Sequence, residues 1–281
     1  MTTLLRSPKH DPEKWTPVFR KRSCANKQSE RGSDSIRTDY APVARPLLGL
    51  VFAVGLSGLA LAQEVALDAA VAPAPPERAA PEVAFNVGVA SDYLFRGFSK
   101  TDEGPQVFAG VDAYSGAFYA GAWASNVRFG GEHQLELDLY AGWRPEVAGF
   151  TLDLGGIYYA YPGEAAAVDD FAELSLGASR SIGPATAGAV LYWTPDYFGQ
   201  DGGGLYAEAN GVVELGPRTS LTAALGRQSI DNGDDYATWN LGVAYALSDR
   251  LTLDGRYWDT AGDNLGERFD RRLVVGLKAV F

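Results

Sequence analysis

Residues 135–143 read LELDLYAGW, and apolar side chains recur in this stretch at every second position. One face of an extended chain would carry Leu135, Leu137, Leu139, Ala141 and Trp143. The opposite face would carry Glu136, Asp138, Tyr140 and Gly142. Because side chains on a strand point alternately to opposite sides, this pattern predicts a β-strand with one apolar and one polar face.

The same alternation recurs from residue 84 to the C-terminus, and ATWNLGVAYAL (237–247) is its second clear example. Each run ends at a cluster of Gly, Pro, Asn or Asp, the residues typical of turns. The pattern predicts twelve strands, at 84–96, 106–114, 117–127, 135–144, 150–161, 171–179, 185–193, 205–215, 219–228, 236–247, 251–259 and 271–281.

The connections between these strands alternate in length. The short ones are 115–116, 145–149, 180–184, 216–218 and 248–250. The longer, acidic ones are 97–105, 128–134, 162–170, 194–204, 229–235 and 260–270. Short turns at one end, long loops at the other and an even strand number are typical of outer-membrane barrels. We therefore predict an all-β fold, a transmembrane antiparallel up-and-down β-barrel of twelve strands, with ten or fourteen strands as the alternatives.

The inward face of such a barrel is expected to be polar and wet, because twelve strands enclose more space than side chains fill as a dry core. The polar faces of the predicted strands supply the candidate pore-lining residues Asn86, Asp92, Arg96, Asp112, Glu136, Asp138, Asp153, Glu173, Glu208, Asn210, Glu214, Asp254, Arg256 and Lys278.

Aromatic residues near the predicted strand ends are typical of the girdles at the two membrane interfaces. The candidates are Tyr93, Phe95, Trp123, Trp143, Tyr158, Tyr161, Trp193, Tyr197, Trp239, Tyr245, Tyr257 and Trp258. A track of rings that stacks on sugars is the alternative interpretation.

Within SDYLFRGFSK (91–100), the alternation places Tyr93 and Phe95 on the lipid side and Asp92 and Arg96 on the lumen side. Asp92 and Arg96 would lie ~13 Å apart along the strand, too far to bond each other. We expect Arg96 to pair with a carboxylate on a neighbouring strand, Asp112 being one candidate, or to stand alone in a constriction.

The N-terminal third is expected to be removed or to stay outside the barrel. Residues 47–62, LLGLVFAVGLSGLALA, form an apolar run that ends in the small-x-small pattern of signal-peptide cleavage, so we predict cleavage after Ala62. A transmembrane helix is the alternative, but the run is shorter than the ~20 residues that span a bilayer. Residues 1–46 form a polar extension, with a translation start near Val43 as one hypothesis, 63–82 an Ala/Pro-rich flexible leader, and 83–281 the barrel.

The charge and cysteine content exclude two classes of function. After Ala62 the chain has 14 Lys and Arg against 30 Asp and Glu, a formal net charge of −16, which argues against nucleic-acid binding through phosphates. The only cysteine, Cys24, precedes the cleavage point, so the mature chain has neither disulfide nor thiol chemistry.

No motif points to catalysis. The only histidine after Ala62 is His133, within GGEHQ, and this part of the chain has no GxSxG nucleophile elbow, so we predict no enzyme. An outer-membrane hydrolase that uses His133 is the alternative. The acidic loops DNGDD (231–235) and DNLGERFD (263–270) lack the full spacing of a calcium loop, so we predict neither a metal nor a cofactor.

The chain ends in LVVGLKAVF (273–281), with an apolar face that closes on Phe281. A terminal aromatic residue after a closing strand resembles the signal that the outer-membrane assembly machinery reads.

Several segments resemble the TorF porin family, a proteobacterial outer-membrane group of otherwise unknown function. The matching stretches are SDYLFRGFS (91–99), FYAGAWASNVRF (118–129), LELDLYAGW (135–143), YYAYPG (158–163) and TPDYFG (194–199). Two departures are Lys100, where the pattern leads us to expect Gln, and the long segment before Pro46, which has no counterpart. The resemblance implies an outer-membrane barrel with a presumed pore role, and it supplies no substrate or active residue.

These features together predict a channel for passive diffusion of small hydrophilic solutes, in the outer membrane of a Gram-negative bacterium and exported through the periplasm. The acidic balance predicts a mild cation preference. The expected partners are the lipid bilayer, the assembly machinery and small solutes, and the sequence leaves the oligomeric state undetermined. A non-conducting barrel that acts as a scaffold, adhesin or assembly factor is the alternative.

Overall fold

The computed structural model describes residues 81–129, 132–162, 170–198, 202–263 and 265–281. In this part of the chain, twelve long strands form the wall of a barrel. They are β1 Glu82–Ala90, β2 Gln106–Ser115, β3 Phe118–Phe129, β4 Glu132–Trp143, β5 Phe150–Ala160, β6 Phe171–Ile182, β7 Ala185–Thr194, β8 Gly204–Gly216, β9 Thr219–Ile230, β10 Tyr236–Ser248, β11 Leu251–Gly262 and β12 Arg272–Val280.

The sheet is closed. Each strand pairs antiparallel with the next one along the chain, and β1 also pairs antiparallel with β12, with Asn86 opposite Val280 and Ala90 opposite Gly276. The C-terminal residue extends this seam, because the backbone N–H of Phe281 donates to the carbonyl of Phe85 at 2.9 Å. Closure leaves no unpaired wall strand, and the predicted twelve-stranded antiparallel barrel is confirmed.

The two faces of the wall differ as the alternation predicts. Apolar side chains such as Leu139, Leu174 and Leu241 are exposed on the outside, which is the face that lipid would cover. Charged and tyrosine side chains on the inside are shielded from solvent. Among the described residues, no helix has the length and apolar character needed to cross a bilayer.

Several predicted boundaries are wrong. The expected loop 128–134 is mostly strand, because β3 runs to Phe129 and β4 starts at Glu132, with Arg128 opposite His133. The predicted first strand continues to residue 96, whereas β1 ends at Ala90. The expected signal peptide and most of the leader lie outside the described residues.

The chain turns into the barrel after β1. Leu94–Phe95 pairs with Phe98–Ser99 to form a tight hairpin, and at its tip both Arg96 and Gly97 have positive φ, 50° and 86°. Two successive positive φ values are typical of a type I′ turn, which glycine adopts readily and arginine does not. We call residues 91–105, which connect β1 to β2, the inner loop.

Candidate functional site in the barrel lumen

The inner loop is organised around Asp92. The carboxylate of Asp92 accepts hydrogen bonds from Ser99 Oγ and Thr101 Oγ1, both at 2.7 Å, and from Arg272 Nη1 at 2.9 Å. The backbone N–H of Tyr93 donates to Thr101 Oγ1 at 3.0 Å, which ties the two arms of the hairpin together. Asp92 is therefore a buried acceptor that fixes the base of the loop.

Arg96, at the tip of the loop, reaches the far wall. Its Nη2 lies 2.6 Å from Glu173 Oε2 on β6, and its Nη1 donates to Gln228 Oε1 on β9 at 3.0 Å. The guanidinium carbon lies 4.9 Å from the ring centre of Tyr192 on β7 and 4.5 Å from that of Tyr206 on β8. Arg96 is fully shielded from solvent. It pairs with Glu173, so the suggested partner Asp112 is wrong.

Lys100 is the second buried cation of the inner loop, and it packs against β4 and β5. Its Nζ forms an ion pair with Glu136 Oε2 at 2.5 Å, lies 2.9 Å from Tyr161 Oη and lies 3.5 Å from the ring centre of Phe95. Burial, followed by the carboxylates of Glu136 and Asp138, raises the pKa of Tyr161 well above its ordinary value, so the phenol stays protonated. The charge of Lys100 is thus enclosed by a carboxylate and aromatic rings.

The connection between β11 and β12 holds the loop from its outer side. Arg268, in the short 3-10 helix Glu267–Phe269, lies 2.7 Å from Asp102 and also donates to the carbonyl of Ser99 at 3.2 Å. The rings of Phe98 and Phe269 pack at 5.1 Å between centres. Together with Arg272, these contacts anchor the inner loop to the last strand pair of the barrel.

The half of the lumen near the short turns carries further ion pairs. On one wall, Arg144 Nε lies 3.1 Å from Asp153, whose other oxygen accepts a hydrogen bond from Tyr119 at 2.9 Å. On another wall, Arg256 lies 3.1 Å from Asp254 and donates to Asn240 at 2.8 Å. Each of these cations lies beside an acid on the same or a neighbouring strand, which compensates part of its charge.

All predicted lining residues project to the inside, and most are buried rather than wet. Those under 10% exposed are Asn86, Asp92, Arg96, Glu136, Asp138, Asp153, Glu173, Glu208, Asp254, Arg256 and Lys278. Half-buried ones are Asp112, Asn210 and Glu214. The expectation of a water-filled lumen along these residues is wrong, because the inner loop and large inward side chains such as Tyr119 and Tyr206 fill the space beside them.

The predicted girdle residues fall into two groups, one outside the barrel and one inside it. Trp143, Tyr158, Trp193, Trp239, Tyr245 and Tyr257 are exposed on the outside of the barrel. The prediction is wrong for Tyr93, Phe95, Trp123, Tyr197 and Trp258, whose side chains are buried, and for Tyr161, which is partly buried against the same inner cluster. Tyr93 and Phe95 are inside because the strand alternation ends at Ser91 and the chain folds inward, and Tyr161 and Tyr197 lie in connections beyond the strands.

Several important inward residues were not predicted: Lys100, Tyr119, Arg144, Tyr192, Tyr206, Gln228, Arg268 and Arg272. The alternation could have found some of them. Tyr206 is two positions before the predicted lining residue Glu208, and Tyr192 is next to the outward Trp193. The imidazole of His133 lies outside the described part of the structure.

Comparisons with known proteins identify a family and a fold. The family model described as bacterial protein of unknown function (Gcw_chp) matches residues 76–277, so the chain belongs to this family. The name TorF is not the name of this family model and stays a resemblance. No curated protein matches the chain.

Among solved structures, the KdgM porin matches with a TM-score of 0.52 and 8% identity over 70% of this chain and 99% of that one. An outer membrane channel from Pseudomonas putida F1 matches with a TM-score of 0.48 and 12% identity, over 75% and 98% of the two chains. The NanC porin matches with a TM-score of 0.46 and 7% identity, over 71% and 98%. At these identities the likeness to the KdgM porin shows the barrel fold alone.

Proposed function

We propose that this member of the Gcw_chp family is an outer-membrane channel for small hydrophilic solutes, and that its inner loop holds it closed. The single observation that carries the proposal is that one connecting loop lies across the lumen, with Arg96 and Lys100 buried in it, whereas the wall around it is lined with ionisable side chains. An apolar interior would satisfy a barrel that serves only as a scaffold, since buried charges are costly to maintain.

The inner loop can leave the lumen without breaking the wall. Ala90 and Gln106, the strand ends that flank it, are paired with each other, and the β1–β2 pairing continues to Glu82 opposite Tyr114. The tip at Arg96 is attached to the far wall through its side chain. Opening therefore requires the exchange of side-chain contacts, and of backbone hydrogen bonds such as the one from Arg128 N–H to the carbonyl of Lys100 at 2.7 Å, for contacts with water and solutes. The β1–β2 strand pairs stay intact.

The barrel class supports a placement in the outer membrane. Short turns of such barrels face the periplasm and long loops face the outside, so the inner loop would block the lumen from the outer side. We propose that the chain reaches the outer membrane through the periplasm and that Phe281 is read by the assembly machinery. The proposed function is transport, and it involves no catalysed reaction.

A non-conducting barrel is the second candidate, and one observation favours it. Inward side chains are shielded in both halves of the lumen, for example Glu136 at 0% and Asp254 at 3% exposure. A barrel with such an interior could serve as an envelope scaffold or adhesin without passing solutes.

Single-channel recording of the refolded barrel separates the two candidates. Residues 91–105 would be replaced by Asn-Gly, a pair that joins adjacent antiparallel strand ends as a two-residue turn. We expect the wild-type protein to be silent or to open briefly, and the loop-replaced variant to conduct in stable steps.

The control for folding is the heat-dependent gel mobility typical of intact barrels. If the loop-replaced variant is folded and stays silent, the scaffold hypothesis is correct and the channel hypothesis is wrong. Stable steps from the wild-type protein would instead show that the inner loop does not close the lumen.

A further inference from the structure

Four side chains that hold Arg96 belong to consecutive wall strands, and the ring of Phe95, on the inner loop itself, lies 5.3 Å from its guanidinium carbon. Glu173 is on β6, Tyr192 on β7, Tyr206 on β8 and Gln228 on β9. Because none of the four is on the inner loop, they stay in place on the wall when the loop leaves.

The four wall side chains match the chemistry of a guanidinium group. Glu173 accepts from one terminal nitrogen and Gln228 from the other, at 2.6 and 3.0 Å. The faces of Tyr192 and Tyr206 lie within 5 Å of the guanidinium carbon. A guanidinium group is planar, donates hydrogen bonds from two terminal nitrogens and carries a delocalised charge. A site with paired acceptors and aromatic rings matches these properties, and this distinguishes guanidinium recognition from binding of a small inorganic cation.

Contacts within the wall hold the site in shape independently of Arg96. Gln228 Nε2 donates to the carbonyl of Ser229 at 3.1 Å, so its Oε1 points to the guanidinium. The hydroxyl of Tyr159 donates to Glu173 at 3.1 Å. The hydroxyl of Tyr206 donates to Glu208 at 2.8 Å, and its ring packs against Gly226, where a Cβ would collide with it.

Withdrawal of Arg96 leaves Glu173 as a carboxylate in a narrow lumen without its cation, which is costly unless another cation replaces it. We infer that these four wall residues form a binding site for the guanidinium group of a small organic solute, and that Arg96 occupies this site in the closed state. The inference rests on the proposed function, since a solute would reach the site through the lumen. It names guanidinium compounds as the solute class.

The test is to empty the site and measure binding of methylguanidinium. Arg96→Gly removes the side chain and also relieves the positive φ at this position. In detergent micelles, we expect millimolar methylguanidinium to raise the thermal unfolding midpoint of this variant by about 3–5 °C when its concentration is about ten times the dissociation constant. The wild-type protein should show no such rise, because Arg96 already fills the site.

Three controls make the result specific. Methylurea, neutral and of the same shape, should not stabilise Arg96→Gly. The double variant Arg96→Gly with Glu173→Gln should not respond to methylguanidinium. Arg272→Gly removes another arginine that binds the inner loop, through Asp92 and Glu103, and should not respond either.

The inference is overturned if the midpoint of Arg96→Gly does not rise, or rises no more than that of Arg272→Gly. If Arg96→Gly does not fold, the variant with residues 91–105 replaced by Asn-Gly empties the same site and takes the same test. The test measures binding and does not depend on conductance. A barrel that binds methylguanidinium but stays silent in bilayers would therefore contradict the proposed channel and still support the guanidinium site.

Discussion

At the scale of single residues, the inward ion pairs differ sharply from those on the surface. The side chains of Arg96 and Glu173 are 0% and 1% exposed, whereas those of Arg227 and Asp235 are 63% and 41% exposed at a similar distance. Removal of one partner from a buried pair leaves an uncompensated charge, whereas water solvates the remaining partner of an exposed pair.

Glu173→Gln should therefore lower the free energy of unfolding by about 3–5 kcal/mol, the cost typical of breaking a buried pair. The measurement is equilibrium unfolding in urea of the barrel folded into lipid vesicles. Arg227→Gln is the matched control and should cost less than about 1 kcal/mol. Equal losses for the two variants would mean that Arg96 is solvated and the lumen is open.

At the scale of strands, glycines in the wall let inward rings lie against the neighbouring backbone. Tyr119 on β3 lies opposite Gly142 on β4, and Gly121 on β3 lies opposite Tyr140 on β4. A Cβ on either glycine would collide with the facing phenol. This close approach also positions the hydroxyl of Tyr119 to donate to Asp153.

Gly142→Ala should push Tyr119 off the wall, weaken its hydrogen bond to Asp153 and lower the free energy of unfolding by about 1–3 kcal/mol, as overpacking does. Gly255→Ala is the control, because a Cβ at Gly255 would have no neighbour within 4 Å. It should be neutral or slightly stabilising. Urea unfolding measures the free energy of unfolding of both variants. An unchanged value for Gly142→Ala would show that the position of the Tyr119 ring does not require a glycine at residue 142.

At the scale of the whole molecule, the lumen carries more acids than bases among the described residues, but many of the acids are paired. Glu173, Glu136, Asp153, Asp254 and Asp92 each lie beside a cation. Two of these cations, Arg96 and Lys100, belong to the inner loop. Removal of the loop would take away these two cations together with the acids Asp92, Asp102 and Glu103, and it would make the field beside Glu173 and Glu136 more negative.

The variant with residues 91–105 replaced by Asn-Gly should prefer cations over anions by a factor of a few at low salt. The preference should fall toward one near ~1 M salt, where the screening length is about 3 Å. Reversal potentials under a salt gradient measure this ratio. An anion preference at low salt would contradict the predicted cation preference.

The sequence predicts the wall well and the interior poorly, for a physical reason. Strand alternation is local, so LELDLYAGW and the other runs show which residues share a face, and the barrel follows from their number and spacing. The inner loop follows from contacts distant in sequence, such as Arg96 with Glu173 and Gln228. Tyr93 and Phe95 keep the spacing of Val87 and Val89 in β1, and Ser91 is the one polar residue between them, so the pattern gives little sign of the inward turn after Ala90.

The anchoring of the inner loop by Arg268 and Arg272 links the order of biogenesis to permeability. The loop follows the first wall strand, while both arginines belong to the last strand pair and its connection. The obstruction is therefore completed only when the N-terminal and C-terminal strands meet at the β1–β12 seam. If the protein acts as the proposed outer-membrane channel, a barrel that has just closed would be sealed by the same event, and the envelope would not be exposed to an open pore during insertion.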